Sequence, residues 1–105
     1  MGKPTIRDIL FRKYSKMSWD MERLRMELDL LGVEWEDWFD DEPMPVHCTH
    51  YQSIYGECSV KWGYGTIGSK FDTLEACVIG YDSESPNGYL TWEQVLSLYP
   101  PVIGS

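Results

Sequence analysis

Apolar residues near the start of the chain recur at the spacing of an α-helix. Thr5 and Asp8 stand three residues apart, as in a capping box at a helix N-terminus. The apolar positions that follow share one side of the predicted helix: Ile6, Ile9, Leu10 and Met17. The pattern therefore predicts a first, amphipathic helix whose other side is basic.

A second helix is predicted from Ser18, which can cap its N-terminus. Its apolar positions are spaced alternately three and four residues apart, as in a heptad seam: Met21, Leu24, Leu28, Leu31, Trp35 and Trp38. Gly32 is either the C-terminal stop of a shorter helix or a tolerated weak point within a longer one. Pro43 and Pro45 end any helix, so the helical part is predicted over residues 1–42. The seam is also typical of a coiled-coil homodimer, but it is shorter than three heptads, which favours packing into the core.

From Val46 onward the pattern is typical of β-structure. Strands are predicted around residues 47–55, over the alternating residues 60–64, and over residues 74–81. The residues before the third strand also resemble a helix start, but a strand is the favoured interpretation. Together these segments predict a three-stranded antiparallel meander over residues 46–81.

The last part of the chain predicts a loop followed by a short helix. Residues 86–88 read Pro-Asn-Gly, a sequence typical of loops. Thr91 and Gln94 have the spacing of a capping box, and the apolar residues after Thr91 share one face: Trp92, Val95, Leu96 and Tyr99. The whole order predicts an α+β fold in one domain over residues 1–105: two N-terminal helices, a three-stranded antiparallel sheet and a short C-terminal helix over residues 91–99.

Length and composition are those of one folded domain. The chain has 105 residues, of which 43% are hydrophobic, enough to build a single core. No run approaches the ~18 apolar residues of a membrane span, and the first residues lack the pattern of a secretory signal, so we expect a cytoplasmic protein. Its three cysteines are Cys48, Cys58 and Cys77, and this odd number favours reduced thiols over a disulfide framework.

Charge is distributed unevenly along the chain. The net charge is −8, yet residues 1–25 hold seven basic side chains against three acidic ones. Residues 26–57 hold nine acidic side chains and no lysine or arginine. Such a field attracts basic surfaces and repels phosphates, so we expect no direct binding of nucleic acid and no membrane contact. A protein that itself binds nucleic acid fits this charge as a partner.

The negative charge is concentrated in residues 33–42, which read VEWEDWFDDE. If this stretch is helical, as the seam predicts, it contains like-charge pairs four residues apart, each costing about 0.2 to 0.5 kcal/mol. One interpretation is a solvated face whose aromatic residues complete the core. The other is a carboxylate-rich surface that binds a basic groove. The second interpretation predicts a partner-binding site made of seven residues: Glu34, Glu36, Asp37, Asp40 and Asp41 as charges, with Trp35 or Trp38 as anchors.

A possible metal site lies after this stretch. His47, Cys48, His50 and Cys58 are side chains of the kinds that zinc prefers, but their spacing matches no zinc-finger pattern. His47 and His50 would point to opposite faces of a strand, so a common site requires an irregular loop. A metal-stabilised module using Cys48, His50 and Cys58 is therefore the alternative hypothesis, and no cofactor is predicted. A Cys–His nucleophilic pair has no recognisable orienting group or oxyanion site, so we do not expect an enzyme.

Three glycines spell a G-x-G-x-x-G sequence: Gly63, Gly65 and Gly68. The nucleotide-binding version of this motif requires a helix that opens at the third glycine. The residues that follow have no helical periodicity, so a glycine-rich hairpin turn is the favoured interpretation.

The segments VKWGYGTIGS, DTLEA and GYLTWEQVL, together with the acidic stretch, resemble small orphan proteins of bacteriophages and other mobile elements. Within that group, a compact acidic chain is similar to anti-CRISPR and other anti-defence inhibitors, several of which present carboxylates in place of nucleic-acid phosphates. The resemblance implies an inhibitor in a bacterial host cell, acting on a CRISPR effector or another defence protein. It transfers no functional residue. We expect the protein to be a monomer or a weak homodimer.

Overall fold

The computed structural model describes residues 2–42, 44–69, 73–80 and 86–103. Three helices and five strands occur in the following order: α1 (Ile6–Ser15), α2 (Trp19–Leu30), β1 (Trp35–Asp40), β2 (Val46–Ser53), β3 (Gly56–Gly63), β4 (Leu74–Val78), β5 (Asn87–Leu90) and α3 (Trp92–Leu98). The strands form one antiparallel sheet in chain order. The predicted α+β class is therefore confirmed. Within the described residues, no helix has the length and apolar character that crossing a membrane requires.

The prediction of a three-stranded sheet is wrong, because the sheet has five strands. The predicted strands correspond to β2, β3 and β4, while β1 and β5 extend the sheet at its two edges. β1 lies in the predicted helical part, and β5 begins in the predicted loop. The last predicted strand covers residues 74–81, and its final residue lies outside the described residues.

The second helix ends at Leu30 because of the glycine that interrupts its seam. Gly32 adopts a left-handed φ of 72°. Its N–H donates to the carbonyl of Asp29 at 3.0 Å, and the N–H of Val33 donates to the carbonyl of Leu28 at 2.9 Å. These two bonds form a Schellman motif, in which the left-handed residue satisfies the last carbonyls of the helix. Of the two roles predicted for Gly32, the stop of a shorter helix is the one observed.

The acidic stretch after this stop is a strand and not a helix. In the predicted helix, Glu36 and Asp40 would be neighbours on adjacent turns. In β1 they lie on one face of an extended chain about 13 Å apart, because each residue advances about 3.3 Å. The repulsion that disfavours a helix is thus relieved in the extended conformation. The prediction of a helix through Trp38 is wrong for this reason.

All side chains that the central strands contribute to the core lie on one face of the sheet, called here the inner face. This face packs against the helices, and the buried cluster includes Tyr14, Met21, Leu24 and Leu28 from the helices with Tyr51, Cys58, Val60, Trp62, Leu74 and Ala76 from the sheet. The opposite, outer face carries Cys48, His50, Ser59, Lys61 and Cys77 and contributes no member to that cluster. The sheet therefore has one face packed against helices and one polar face.

A short C-terminal segment continues the edge that β1 forms on β2. The N–H of Ile54 donates to the carbonyl of Pro100, and the N–H of Val102 donates to the carbonyl of Gln52, both at 2.9 Å. Ser53 and Pro101 are antiparallel bridge partners. One side of β2 is thus paired with β1 over most of its length and with residues 100–102 at its end.

Candidate functional site

The first strand is an edge of the sheet, and it carries most of the predicted partner-binding residues. β1 pairs with β2 in a regular antiparallel register that places Glu36 opposite His50, Trp38 opposite Cys48 and Asp40 opposite Val46. In the part of the chain that the structure describes, no strand pairs with its other side. Most of the predicted partner-binding residues therefore lie along the edge of a sheet and not on the face of a helix.

The side chains of β1 alternate between the two faces of the sheet. Glu36, Trp38 and Asp40 are on the outer face, because their cross-strand partners lie there. Trp35, Asp37 and Phe39 are on the inner face by the same register. Trp38 remains 56% exposed and Phe39 53% exposed. Each face of this edge therefore presents one large aromatic side chain to solvent.

Trp35 differs from the other two aromatic residues because it is tied to α2. Its indole N–H donates to Asp29 Oδ1 at 2.8 Å. The guanidinium of Arg25 lies 4.7 Å from its ring centroid, a cation–π geometry. Trp35 is also partly buried against the core cluster. These contacts give it a structural role and leave Trp38 as the exposed one of the two predicted anchors.

Asp37 is also held by the helix. Arg25 Nη2 donates to Asp37 Oδ1 at 2.9 Å, and Arg25 Nε donates to Thr49 Oγ1 at 2.8 Å. Arg25 is the last basic residue before the acidic region, and its own side chain is 10% exposed. One predicted partner-binding carboxylate therefore already has an intramolecular partner.

The remaining carboxylates of the stretch have no basic partner in the described chain. Glu36 Oε2 accepts a hydrogen bond from Trp38 Nε1 at 3.1 Å, and Asp40 Oδ1 accepts one from the N–H of Glu42 at 3.0 Å. Among the described residues, no ion pair involves any of the following: Glu34, Glu36, Asp40, Asp41 and Glu42. All five are exposed. The basic first helix also leaves them unpaired, since no described residue of α1 forms an ion pair. This edge therefore keeps most of its negative charge.

An open acidic groove lies beside the start of β1. It has a volume of about 680 Å³, and its lining includes Asp29, Glu34, Glu36 and Glu57, together with His50. A smaller cavity of about 390 Å³ lies beyond Trp38, where Asp40, Val46 and Lys61 contribute to its walls. Trp38 lines the smaller cavity, and the charged groups that line the larger groove are mainly carboxylates.

His50 is the centre of a polar cluster on the outer face. Its Nε2 lies 3.0 Å from Ser59 Oγ and 3.1 Å from Cys48 Sγ, and its Nδ1 lies 3.6 Å from Glu57 Oε1. Its ring stacks on that of Trp38 with centroids 5.3 Å apart. Burial raises the pKa of the Cys48 thiol, and Ser59 is also buried, so neither side chain is presented as a nucleophile. Trp38 is held by this ring contact and by the hydrogen bond that its indole N–H donates to Glu36 Oε2 at 3.1 Å.

The possible metal ligands do not converge. Cys48 and His50 lie on the outer face, whereas His47 and Cys58 lie on the inner face. His47 Nε2 donates to the carbonyl of Tyr14 at 2.9 Å, and burial raises the pKa of Cys58 to about 12. The described residues include no group of three or more His, Cys, Asp or Glu side chains placed to hold a metal ion. The strand that separates His47 from His50 is regular, so the irregular loop required for a common site is absent here.

The glycine motif lies in the connection between two antiparallel strands, as the hairpin interpretation predicts. Gly63 ends β3, and its carbonyl accepts a hydrogen bond from the N–H of Thr66 at 3.2 Å. Gly65 and Gly68 have positive φ values of 82° and 92°. The connection leads to β4, which pairs antiparallel with β3. Residues 70–72 of this connection lie outside the described residues.

One residue of the site was not among the predicted partner-binding residues. Phe39 is exposed on the inner side of β1, and its ring contacts that of His47 with centroids 4.8 Å apart. The predicted helical seam includes Trp35 and Trp38 but not Phe39, so it gives no reason to select Phe39. Alternation along a strand is the signal that would have identified it as a separate exposed aromatic.

These features define an α+β protein with an acidic, aromatic strand at the edge of an antiparallel sheet. Comparison with known proteins finds no matching family model, no similar curated protein and no similar solved structure. The function of the chain is therefore inferred from the geometry and charge of this edge.

Proposed function

We propose that this chain is an inhibitor or adaptor that binds a basic protein surface through β1. The observation that carries the proposal is the group of exposed carboxylates without an ion-pair partner among the described residues, which surround Trp38 and Phe39 on an open strand edge. Carboxylates whose charge is not neutralised by an internal cation attract a basic surface and steer its approach. Exposed aromatic side chains supply the apolar contact area that anchors protein interfaces.

The proposed partner is a protein whose basic surface binds nucleic acid. Such a surface is a groove of lysine and arginine side chains that neutralises phosphates, and a row of carboxylates can occupy the same place. The chain itself repels phosphates in this region, because residues 26–57 carry nine acidic and no Lys or Arg side chains. Binding would compete with nucleic acid, which is how an anti-defence inhibitor of the kind that the sequence resembles would act.

A charge-reversal variant tests the proposal and breaks no ion pair of the described chain, although it removes the exposed hydrogen bond from Trp38 Nε1 to Glu36. Glu36→Lys with Asp40→Lys changes two outer-face carboxylates that have no ion-pair partner in the described chain. Asp37 is left unchanged, because reversing it would place a cation beside Arg25. The matched control is Glu22→Lys with Glu93→Lys, which makes the same change in net charge at exposed positions on the helices.

The experiment begins with capture of proteins from bacterial extract by the native chain, the reversal variant and the control. A protein retained by the native chain and the control, and lost with the reversal variant, is purified for direct binding measurements. We expect the reversal to weaken binding at least tenfold and to reduce the salt dependence of binding. We also expect nucleic acid to displace the native chain from the partner. Equal affinities for the reversal variant and the control would contradict the proposal.

A further inference from the structure

We infer that the partner supplies an extended segment that pairs antiparallel with the free edge of β1 as a sixth strand, carrying two basic side chains four residues apart. This inference rests on the proposed function and specifies how the basic partner is recognised. It follows from the direction of the backbone groups of β1, from the character of this edge, and from the recesses that Glu36 and Asp40 line.

The backbone groups that face the open side can be identified from the pairing of β2. The carbonyl of Gln52 points away from β3, because it accepts a hydrogen bond from Val102. Backbone groups of alternate residues in an antiparallel strand point to the same side, so those of His50, Cys48 and Val46 point towards β1. Their direct partners are the outer-face residues of β1, whose backbone groups point back towards β2.

The intervening residues of β1 consequently turn their backbone groups outward. Asp37 and Phe39 each present an N–H and a C=O to the open edge, at the spacing that an antiparallel strand requires. Neither a bulge nor a proline interrupts β1, and the strand carries no lysine. Bulges, prolines and lysines are devices by which proteins block an exposed edge. The charges that β1 does carry, including Asp37 on the inner face, are all acidic and restrict pairing to a basic strand. The opposite edge of the sheet is a poorer template, since β5 has four residues, an irregular register with β4, and a positive φ at Tyr89.

The carboxylates select a basic strand and disfavour a second copy of this chain. Two copies of β1 paired edge to edge would bring acidic side chains together across the new strand pair, and like charges directly opposite are destabilising. Opposite charges in the same positions are stabilising. The edge is therefore open to strand addition but restricted to a partner of the opposite charge.

The outer face determines the spacing of the basic residues. An added strand would place one side chain opposite Glu36, one opposite Trp38 and one opposite Asp40, all on the outer face. The first would lie beside Glu36, one of the carboxylates that line the acidic groove, and this position suits an ammonium or guanidinium group. The third would reach the cavity at Asp40, where Lys61 also contributes to the wall and weakens the attraction. The sequence recognised is thus basic-x-apolar-x-basic, with the stronger contact at Glu36.

A pair of peptides with the same composition tests the spacing. The probe is a labelled heptapeptide with lysine at positions 2 and 6, valine at position 4 and threonine elsewhere. Its control has lysine at positions 2 and 5, which places the two charges on opposite faces of a strand. Fluorescence anisotropy at low salt should show binding of the probe at least tenfold tighter than binding of the control. Glu36→Lys with Asp40→Lys should abolish the difference.

A second pair of peptides tests backbone pairing without any change in the protein. In the inferred register, peptide residues 3 and 5 lie opposite Asp37 and Phe39, and their N–H groups face β1. N-methylation at positions 3 and 5 should reduce affinity at least tenfold, while N-methylation at positions 2 and 6 should leave it within twofold. On binding, the amides of Asp37 and Phe39 should gain protection from hydrogen exchange, measured by NMR.

These results separate failure of strand addition from failure of the proposed function. Strand addition is overturned if no basic peptide binds, if the two lysine spacings bind equally, or if the two methylated peptides behave alike. In each case, the captured partner is then compared for its binding to the two charge-reversal variants. If it still binds Glu36→Lys with Asp40→Lys more weakly than Glu22→Lys with Glu93→Lys, the proposed function stands and docking uses side chains only. If the partner binds the two variants equally, the proposed function is contradicted as well.

Discussion

Arg25 and Asp37 join α2 to the edge strand through a hydrogen-bonded ion pair of 2.9 Å between Nη2 and Oδ1. The same guanidinium donates to Thr49 Oγ1 and to the carbonyl of Cys48, and it lies over the ring of Trp35. One side chain from the helix thus contacts two adjacent strands. The side chain of Arg25 is 10% exposed and that of Asp37 is 56% exposed, so the two ends of the pair contribute differently to stability.

Removal of the arginine should be far more damaging than removal of its partner. Arg25→Ala loses three charge-assisted or polar contacts and the packing on Trp35, so we expect a loss of about 2 to 3 kcal/mol in the free energy of unfolding. Asp37→Ala removes a solvent-screened carboxylate, and we expect a loss of about 1 kcal/mol or less. Urea unfolding followed by tryptophan fluorescence measures both values.

The matched control for this pair is Glu36→Ala, one residue away on the outer face. It removes a carboxylate without an ion-pair partner among the described residues, and stability should change by no more than about 0.5 kcal/mol. A loss at Asp37→Ala as large as that at Arg25→Ala would show that the role assigned to the buried guanidinium is wrong.

Gly32 should resist substitution for a conformational reason and not for lack of space. Its φ is 72°, and a Cβ atom built at this position meets no atom within 4 Å. Gly32→Ala should therefore lower stability by about 1 to 2 kcal/mol through backbone strain alone. Gly32→Asn should lower it less, because asparagine tolerates the left-handed region. Thermal unfolding of the two variants gives the comparison.

The control for Gly32 is Gly2→Ala, at a residue that also has open space but no left-handed φ. Its melting temperature should match that of the native chain. If Gly32→Ala also left the melting temperature unchanged, the Schellman motif would not be what ends α2, and a longer helix would again be compatible with the seam.

Local signals predicted the elements whose formation depends on nearby residues. The capping boxes predicted at Thr5 and Thr91 are both present, and the predicted central strands correspond to β2, β3 and β4. The two edge strands escaped prediction for a physical reason. β1 has aromatic residues on both faces and so lacks a period of two, while its Trp35 and Trp38 continue the period of the preceding helix. β5 exists because its residues pair with β4, which a Pro-Asn-Gly sequence does not indicate.

The charge of the site could be predicted from the sequence, but its internal pairing could not. The acidic stretch is a local property of residues 33–42. The exposure of Trp38 is not, because the seam favoured packing of this side chain into the core and the strand leaves it 56% exposed. The contact of Asp37 with Arg25 spans 12 positions and depends on where α2 ends. The end of α2 depends on Gly32, for which the sequence allows two roles. The sequence alone therefore does not show that Asp37 is paired while the other carboxylates of the stretch are not.

The three thiols should react with an alkylating reagent in the order of their accessibility. Cys77 is partly exposed, Cys48 is 8% exposed, and Cys58 is fully buried at 0%. Burial also raises the pKa values of Cys48 and Cys58, which lowers the fraction of reactive thiolate at each site. Limited treatment with iodoacetamide at pH 7.5, followed by peptide mass spectrometry, should find Cys77 labelled first and Cys58 last.

Trp38 provides a control for this order, because it is the direct cross-strand neighbour of Cys48 on the outer face. Trp38→Ala should accelerate labelling of Cys48 and leave Cys58 protected on the inner face. Faster labelling of Cys58 in this variant would indicate general loosening of the fold, and an unchanged rate at Cys48 would show that Trp38 does not cover it.

Alkaline pH should unfold the protein through groups buried on the inner face. Burial raises the pKa of Cys58 to about 12, and burial also raises the pKa of Tyr51 well above its usual value. The unfolded chain releases the thiol proton near pH 9 while the folded chain retains it, so the unfolded state binds fewer protons above that pH. The contribution of Cys58 to the free energy of unfolding is therefore complete below about pH 9 and is lost as pH rises towards 12. Its slope is up to about 1.4 kcal/mol per pH unit.

Cys58→Ala identifies this contribution because it removes the titrating group. Between pH 9 and 10 the variant should lose stability with pH more slowly than the native chain by up to about 1.4 kcal/mol per pH unit, since the contribution of Tyr51 is common to both chains. Val60→Ala, which truncates a neighbouring core residue of the same strand, should lower stability at every pH and keep the native slope. Urea unfolding at intervals of 0.5 pH unit measures the three slopes. If the native chain and Cys58→Ala had equal slopes, the buried thiol would not be the group that couples stability to pH in this range.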